Sequence, residues 1–459
     1  MCRHLIVAVA VAQLAACAHY YPRPLQEAAL AANVADLQIE APAQIKGWAG
    51  RHKFDMADGL DLNEVATLAV INNPDLRAQR AQLSVSSAQV FAAGLLPDPQ
   101  LSTGVDKPTG DTAGLVSAWS LGLGYDIIPL ITRQARVEAA NDAHRKVHLD
   151  LLWQEWQVIQ KSRSLAVAQT LEQQRLSLLH AMLDLYLQRY QHSTAALERG
   201  NSTLDVNGTD LTALVDTFSQ INQLEQTHNQ TRHDFHLLLG LQPSVNVDLA
   251  PLPAYKPLSV RVLNTQLANL SKQRPDLLAL QAGYASQEAQ VRAAILAQFP
   301  SLGISVNRAR DTGNVKTLGL SISLNLPLFS GNRGNIAIER ATREQLQEEY
   351  NARLAQVRAD VDRLLELQAI LARQQDHLQV YLPRLEKLVK RARQAYERGD
   401  IEALTFLNME STWVNKRLEQ LSLLQSSWEN RISLEALLAM PDYPQLIQST
   451  PDESRGSAP

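Results

Sequence analysis

The residues in this chain whose types and spacing invite a chemical reading are paired histidines, and they stop short of a site. His144 and His148 lie four apart, as do His228 and Arg232, and His233 and His236 lie three apart. Such spacings put two side chains on one helical face. A zinc site also needs further ligands and an outer layer of orienting hydrogen bonds, and no third ligand is evident. Nor does the sequence hold a nucleophile-base constellation, a glycine-rich phosphate loop or a metalloprotease signature. The expectation is a protein with no catalytic residue, no cofactor and no dedicated metal site, and therefore not an enzyme.

The two cysteines, Cys2 and Cys17, both fall in the first seventeen residues, so the body has neither a disulfide framework nor a thiolate site. Arg3 precedes a short apolar run from Leu5 to Ala12, and Leu14-Ala15-Ala16-Cys17 follows. This reads as a secretory signal over 1–16, because the run is shorter than the roughly 20 residues of a spanning helix. Leu-Ala-Ala-Cys is similar to a bacterial lipobox, which implies lipidation of Cys17. Ala18 rather than Asp follows it, which favours sorting to the outer membrane.

Net charge is −4 with no dominant basic cluster, which argues against nucleic acid as a partner. Aromatic residues make up only 5%, while Leu, Ala, Gln, Glu and Arg abound, as in long helices. The chain repeats itself. Asn73 to Leu101 returns as Arg274 to Leu302, with Pro74/Pro275, Asp75/Asp276, Leu76/Leu277, Val90/Val291 and Pro99/Pro300 in register at an offset of 201 residues (275 minus 74). The expected organisation is a lipidated extended segment over 17–60, a first repeat over 61–240, a connector over 241–259, a second repeat over 260–440 and a tail over 441–459.

Each repeat opens with helices, at 61–73 and 74–95 in the first. Pro97 and Pro99 stop the second of these, and strand-like segments follow at Leu101–Asp106 and Leu115–Ile127, then again at Leu302–Asn307 and Thr317–Leu326. Leu318, Leu320, Ile322, Leu324 and Leu326 alternate with Gly319, Ser321, Ser323 and Asn325. A wholly apolar face opposite a small polar one suits a membrane strand of a water-filled barrel, although an ordinary half-buried sheet shows alternation too. From 329 to 398, Tyr350, Leu354, Val357, Val361, Leu364, Leu371, Leu378, Leu382, Leu385, Val389 and Ala392 keep spacings of three and four, with Gln368 and Gln375 in the same register. That is a heptad seam, on a helix close to 100 Å long that must project, with a kink expected at Pro383. After Gly399-Asp400 a returning helix carries Leu404, Leu407, Val414, Leu418, Leu421, Trp428, Ile432 and Ala439. In the first repeat, 133–199 and 209–239 form the counterpart hairpin, turned at Gly200-Asn201, with Ser162, Gln169 and Glu172 interrupting its seam.

Four strands cannot close a barrel, and an open edge in lipid leaves backbone groups unpaired. Three copies would supply twelve strands and a lumen. At this point the arrangement of lipobox, duplicated strand pair with long hairpin, Pro-Asp-Leu helix starts and Arg-Gly-Asn/Asp turns resembles the TolC family of outer-membrane efflux proteins over about 60–440. The resemblance implies a mainly α fold with membrane β: a homotrimer whose twelve-stranded β-barrel in outer-membrane lipid continues as a periplasmic α-helical barrel. It implies the exit duct of a tripartite pump, passively conducting substrate from an inner-membrane transporter and a periplasmic adaptor. The adaptor would dock at the tips Arg199, Gly200, Asn201, Arg398, Gly399 and Asp400. Asp205, Asp210 and Asp400 are candidates for a pore constriction, with Leu404 or Thr405 standing where a second acidic residue would match. Phe91 to Pro99 is similar to heavy-metal efflux members, leaving metal cations, drugs or secreted proteins as alternative substrates. The rival reading is a lipid-anchored periplasmic coiled-coil adaptor or scaffold, which does not account for the alternating strands.

Overall fold

In a computed structural model, the structure describes residues 20–27, 29–39, 59–110 and 113–439. The expected signal over 1–16, Cys17, most of the extended segment and the tail lie outside the described residues.

The element order repeats. Helices α1 (Leu62–Asn72) and α2 (Pro74–Gly94) lead to strands β1 (Gln100–Asp106) and β2 (Ala118–Asp126), then to the hairpin α3 (Ile128–Glu198) and α4 (Leu204–Leu239). Helices α5 (Val260–Gln273) and α6 (Pro275–Leu296), strands β3 (Ser301–Arg310) and β4 (Lys316–Asn325), and the hairpin α7 (Arg333–Glu397) and α8 (Ala403–Leu438) follow. Asp61 starts α1 through a capping box. Its carboxylate accepts from Asn63 N at 2.7 Å and Glu64 N at 2.8 Å, while Glu64 accepts from Asp61 N at 2.9 Å. Pro74 and Pro275 occupy first turns, where the missing N–H costs nothing.

The residue before each of these prolines ties its repeat together. Asn73 caps α2 by accepting from Leu76 N, and its Nδ2 donates to Leu238 O at 3.2 Å, one residue from the end of α4. Arg274, its counterpart, donates from Nη1 to Leu437 O at 2.9 Å, one residue from the end of α8. Arg274 also grips Asp276 at 2.6 and 3.0 Å and lies 4.4 Å from the Trp153 ring. Thus each returning helix is fastened to the start of the helix that feeds its strand pair.

All four strands form one antiparallel sheet in the order β1-β2-β3-β4. Strand limits differ from the sequence expectation. β2 begins at Ala118 rather than Leu115, because Val116 N bonds to Thr312 O in the neighbouring turn, and β3 reaches Arg310 because it pairs with both β2 and β4. The first hairpin's helices also start earlier than expected, whereas α7 starts later, at Arg333. Asp126 accepts from Ile128 N and so opens α3 there, and Thr203 caps α4 at Leu204.

The predicted seam of α7 is the buried one. Val357, Val361, Leu364, Leu371, Leu382, Val389 and Ala392 are all buried, and the helix runs through Pro383. The seam glutamines find partners: Gln368 Nε2 donates to Leu258 O and Gln375 Nε2 to Ser427 Oγ at 2.8 Å. On α8, Leu404 is exposed instead of lying in the seam, because it occupies the first turn. Phe406, stacked 5.2 Å from Tyr396, and Leu407 begin the packing. The two hairpins meet through α3 and α8, where Val167 and Leu171 pack against Leu421, Trp428 and Ile432. That leaves α4 and α7 on the flanks.

Gly240 ends α4 in the left-handed region (φ 71°), and a Cβ there would sit 2.9 Å from Asn72 O. Gly240→Ala is expected to cost at least about 1–2 kcal/mol, read as earlier thermal unfolding and faster proteolysis between α4 and the connector.

Candidate functional site: the small polar sheet face and the hairpin tips

The sheet has two chemically opposite faces. On one, Leu101, Leu123, Val306 and Leu320 stand in one cross-strand row, and Tyr125, Ile304 and Ile322 in another. Leu101 is 68% exposed and Leu320 69% in the single chain. On the other face the rows read Gln100-Gly124-Ser305-Ser321 and Ser102-Gly122-Asn307-Gly319. Asn307 Nδ2 donates to Ser321 Oγ at 2.9 Å, and its amide lies across Gly122, where a Cβ would overlap Asn307 Oδ1 and crowd Ser102 Oγ. This face is hydrogen-bonded and small, hence water-compatible. The apolar face needs a lipid-like solvent. Among the described residues no helix is long and apolar enough to cross a membrane.

At the opposite pole are the hairpin tips. Gly200 (φ 71°) and Gly399 (φ 78°) each close a Schellman turn: Asn201 N donates to Ala196 O and Asp400 N to Ala395 O, both at 2.8 Å. Both glycines face open space. Arg199 and Asn201 are exposed, and Arg398 Nε binds Asp400 Oδ2 at 2.8 Å across its turn.

The three carboxylates singled out from the sequence have different surroundings. Asp205 is exposed in the first turn of α4, sharing an open groove with Gly208, Thr209, Thr212 and Asp216. Asp216 went unnoticed in the sequence, although spacings of four, three and four through 205, 209, 212 and 216 mark the stripe. Asp400 is exposed but ion-paired with Arg398. Asp210 is a correction. It is 2% exposed and bound to Arg189 Nε at 2.5 Å inside the hairpin, so it does not face a pore. Its place between Asn207 and Leu214, at seam spacing, is the reason. The second hairpin has a parallel pair, Arg393 with the buried Glu410, which the sequence reading missed.

The histidines are dispersed into helix contacts. His144 Nδ1 meets Ser86 Oγ at 2.7 Å, and His148 is held below the usual imidazole range by burial and then by His144. His233 is exposed while His236 is buried. Among the described residues no group of three or more His, Cys, Asp or Glu is placed to hold a metal. His228 Nδ1 lies 3.3 Å from Glu172, which also accepts from Thr231 Oγ1. Burial raises the Glu172 carboxyl above its ordinary value despite the opposing bonds from His228 and Thr231.

Arg189→Met leaves the Asp210 carboxylate buried without its partner and should cost about 3–5 kcal/mol, seen as fraying of the first tip in limited proteolysis, while Asp210→Asn costs much less. A raised Glu172 pKa means that its contribution to stability is fully present below the unfolded value and is lost as pH rises through the folded one. Glu172→Gln should therefore raise the thermal midpoint at pH 8 and change it little at pH 4. A gain confined to acid would contradict the burial account.

Residues 267–440 match the family described as outer membrane efflux protein. The chain is 24% identical over 400 residues to the probable outer membrane lipoprotein SilC of Salmonella typhimurium, covering 80% of this chain and 83% of that one. It is 25% identical over 413 residues to the cation efflux system protein CusC of Escherichia coli, covering 82% and 86%. The crystal structure of the Campylobacter jejuni CmeC outer membrane channel superposes with a TM-score of 0.69 at 15% identity, over 94% of this chain and 97% of that one. The family match in the second repeat, the relatives spanning both repeats, and a fold with one lipid-compatible and one water-compatible sheet face point the same way: the chain is similar to outer-membrane efflux proteins along most of its length and shares the fold of an outer-membrane channel.

Proposed function

We propose that this chain is the exit duct of a tripartite efflux pump, working as a homotrimer that conducts substrate passively out of the cell. The observation that carries this reading is the open four-stranded sheet. β1 and β4 have bare edges, and an apolar face cannot present unpaired backbone to lipid. Three copies close twelve strands around a lumen lined by the Gly/Ser/Asn face. The flanks of the helical wall support the same closure. α4 exposes Leu211, Val215 and Phe218, and α7 exposes Val380, Tyr381 and Leu388, so α4 of one copy has an apolar counterpart in α7 of the next.

In this reading the hairpins extend into the periplasm and their tips, Arg199-Gly200-Asn201 and Arg398-Gly399-Asp400, receive the adaptor, which links the duct to an inner-membrane transporter. Asp205 and Asp400, being exposed, are the carboxylates able to face the narrowed end; Asp210 is not. Cys17 carries the lipid anchor. Metal cations are the proposed substrate class, on the strength of the similarity to a cation efflux protein and of the Phe91 to Pro99 segment.

Expression with the neighbouring transporter and adaptor tests the whole proposal. A heat-modifiable trimer should stay in the outer-membrane fraction even for Cys17→Ser, and release of that variant into the soluble fraction would instead support the adaptor reading. Gly200→Leu with Gly399→Leu should abolish adaptor cross-linking in a folded trimer. Asp205→Ala with Asp400→Ala should weaken cation block of single-channel conductance. Export restored for hydrophobic drugs but not for metal salts would overturn the substrate class alone.

A further inference from the structure

The apolar sheet face does not stay apolar to its end. All helix junctions, at Gln100, Asp126, Ser301 and Asn325, lie at one end of the sheet. At the other, the last two cross-strand rows of the apolar face read Thr103-Leu121-Arg308-Leu318 and Val105-Trp119-Arg310-Lys316. Arg310 and Lys316 are direct cross-strand partners, and Arg308 is two residues back on the same face. Neighbours across a pair and along a strand are about 5 and 7 Å apart. Three cations therefore share one corner, with no acidic residue on that face.

Like charges facing each other across a ladder are unfavourable, and among the described residues the strand partners of the three are uncharged or, for Arg310 and Lys316, each other. Among the described residues the nearby acids turn elsewhere. Asp106 falls on the small polar face, opposite Ala118, and Asp311 Oδ1 accepts from Val315 N within its own turn. Arg310 spends Nη2 on Ser117 O at 2.8 Å, and its Nε is buried without a hydrogen-bond partner. Trp119 stands beside Arg310 in the same row. An aromatic next to guanidinium groups at the rim of an apolar band marks the level of lipid headgroups, and guanidinium pairs with phosphate in bidentate fashion.

We propose that Arg308, Arg310 and Lys316 form a seat for the phosphate groups of outer-leaflet glycolipid headgroups, one seat per chain and three per trimer, with Trp119 at the acyl boundary. The inference rests on the outer-membrane reading, which puts the helix-free end of the sheet in the outer leaflet. An anion shared by the three cations removes their mutual repulsion and gives the Arg310 Nε an acceptor.

The full-length trimer, purified in mild detergent, is incubated with intact lipopolysaccharide or with the same material after enzymatic removal of its phosphates, and retained glycolipid is counted by native mass spectrometry. Wild type should prefer the phosphorylated form. Each arginine replaced, in Arg308→Gln or Arg310→Gln, should weaken retention about tenfold, and adding Lys316→Gln should erase the preference. Equal binding of the two glycolipids by wild type, or unchanged preference in the triple variant, overturns the inference. If the triple variant does not assemble, the two-lipid comparison on wild type and on Lys316→Gln alone decides it. A wild-type chain absent from the outer-membrane fraction would overturn the location as well, whereas an outer-membrane trimer without phosphate preference overturns only the seat.

Discussion

A sheet whose backbone is complete inside and incomplete at both edges governs everything else in this protein. Within the four strands each ladder is made, yet β1 and β4 each leave a row of donors and acceptors open. In water such edges are a liability; in lipid they are prohibitive. In the proposed trimer, neighbouring copies complete both edges while keeping the Gly/Ser/Asn face wet and the leucine face dry. In that trimer, closure carries over to the helices, since α3 follows β2 after one residue and α7 follows β4 after a short turn.

The duplication supplies those strands economically but not identically. Asn73 and Arg274 make the same tie, to the last turn of their own returning helix, with different chemistry. The asparagine is a neutral cap. The arginine brings a buried guanidinium that needs Asp276 and the Trp153 face to neutralise and cover it. The seams diverge in the same way: in the second hairpin the Nε2 groups of Gln368 and Gln375 donate across to the connector and α8, whereas the first buries Glu172 and must supply His228 and Thr231. A shared fold thus carries two electrostatic solutions, and the wall they build is only approximately sixfold.

Much of this was legible in the sequence because the periodicities are long. Thirteen seam positions on α7, from Tyr350 to Ala392, repeat often enough for one face to stand out, and ten alternating residues do the same for β4. Short or two-faced signals were not legible. On α4 the exposed Leu211, Val215 and Phe218 are as apolar as the buried Leu214, Ile221 and Leu224, so periodicity alone does not say which stripe turns inward. That is why Asp210 reads as a constriction candidate from the sequence, and why Glu410, between Leu407 and Val414, gives no signal of its own. The cations of β3 are hidden for a different reason: Arg308 and Arg310 interrupt the alternation, so the sequence pattern ends at Asn307, before them.

The pairing of β2 with β3 joins residues from Trp119 to Asp126 with residues from Gly303 to Arg310. Everything between, including the whole first hairpin, is a loop that must close before the sheet has a middle. Pairings of such separation are slow because the loop entropy is lost before the contact forms. In the proposed trimer the remaining edges are filled by other chains, so the final step is also of high order in protein concentration. On that route, dilute single subunits with exposed leucine strands are the aggregation-prone species, and rapid delivery to partner copies shortens the time they persist.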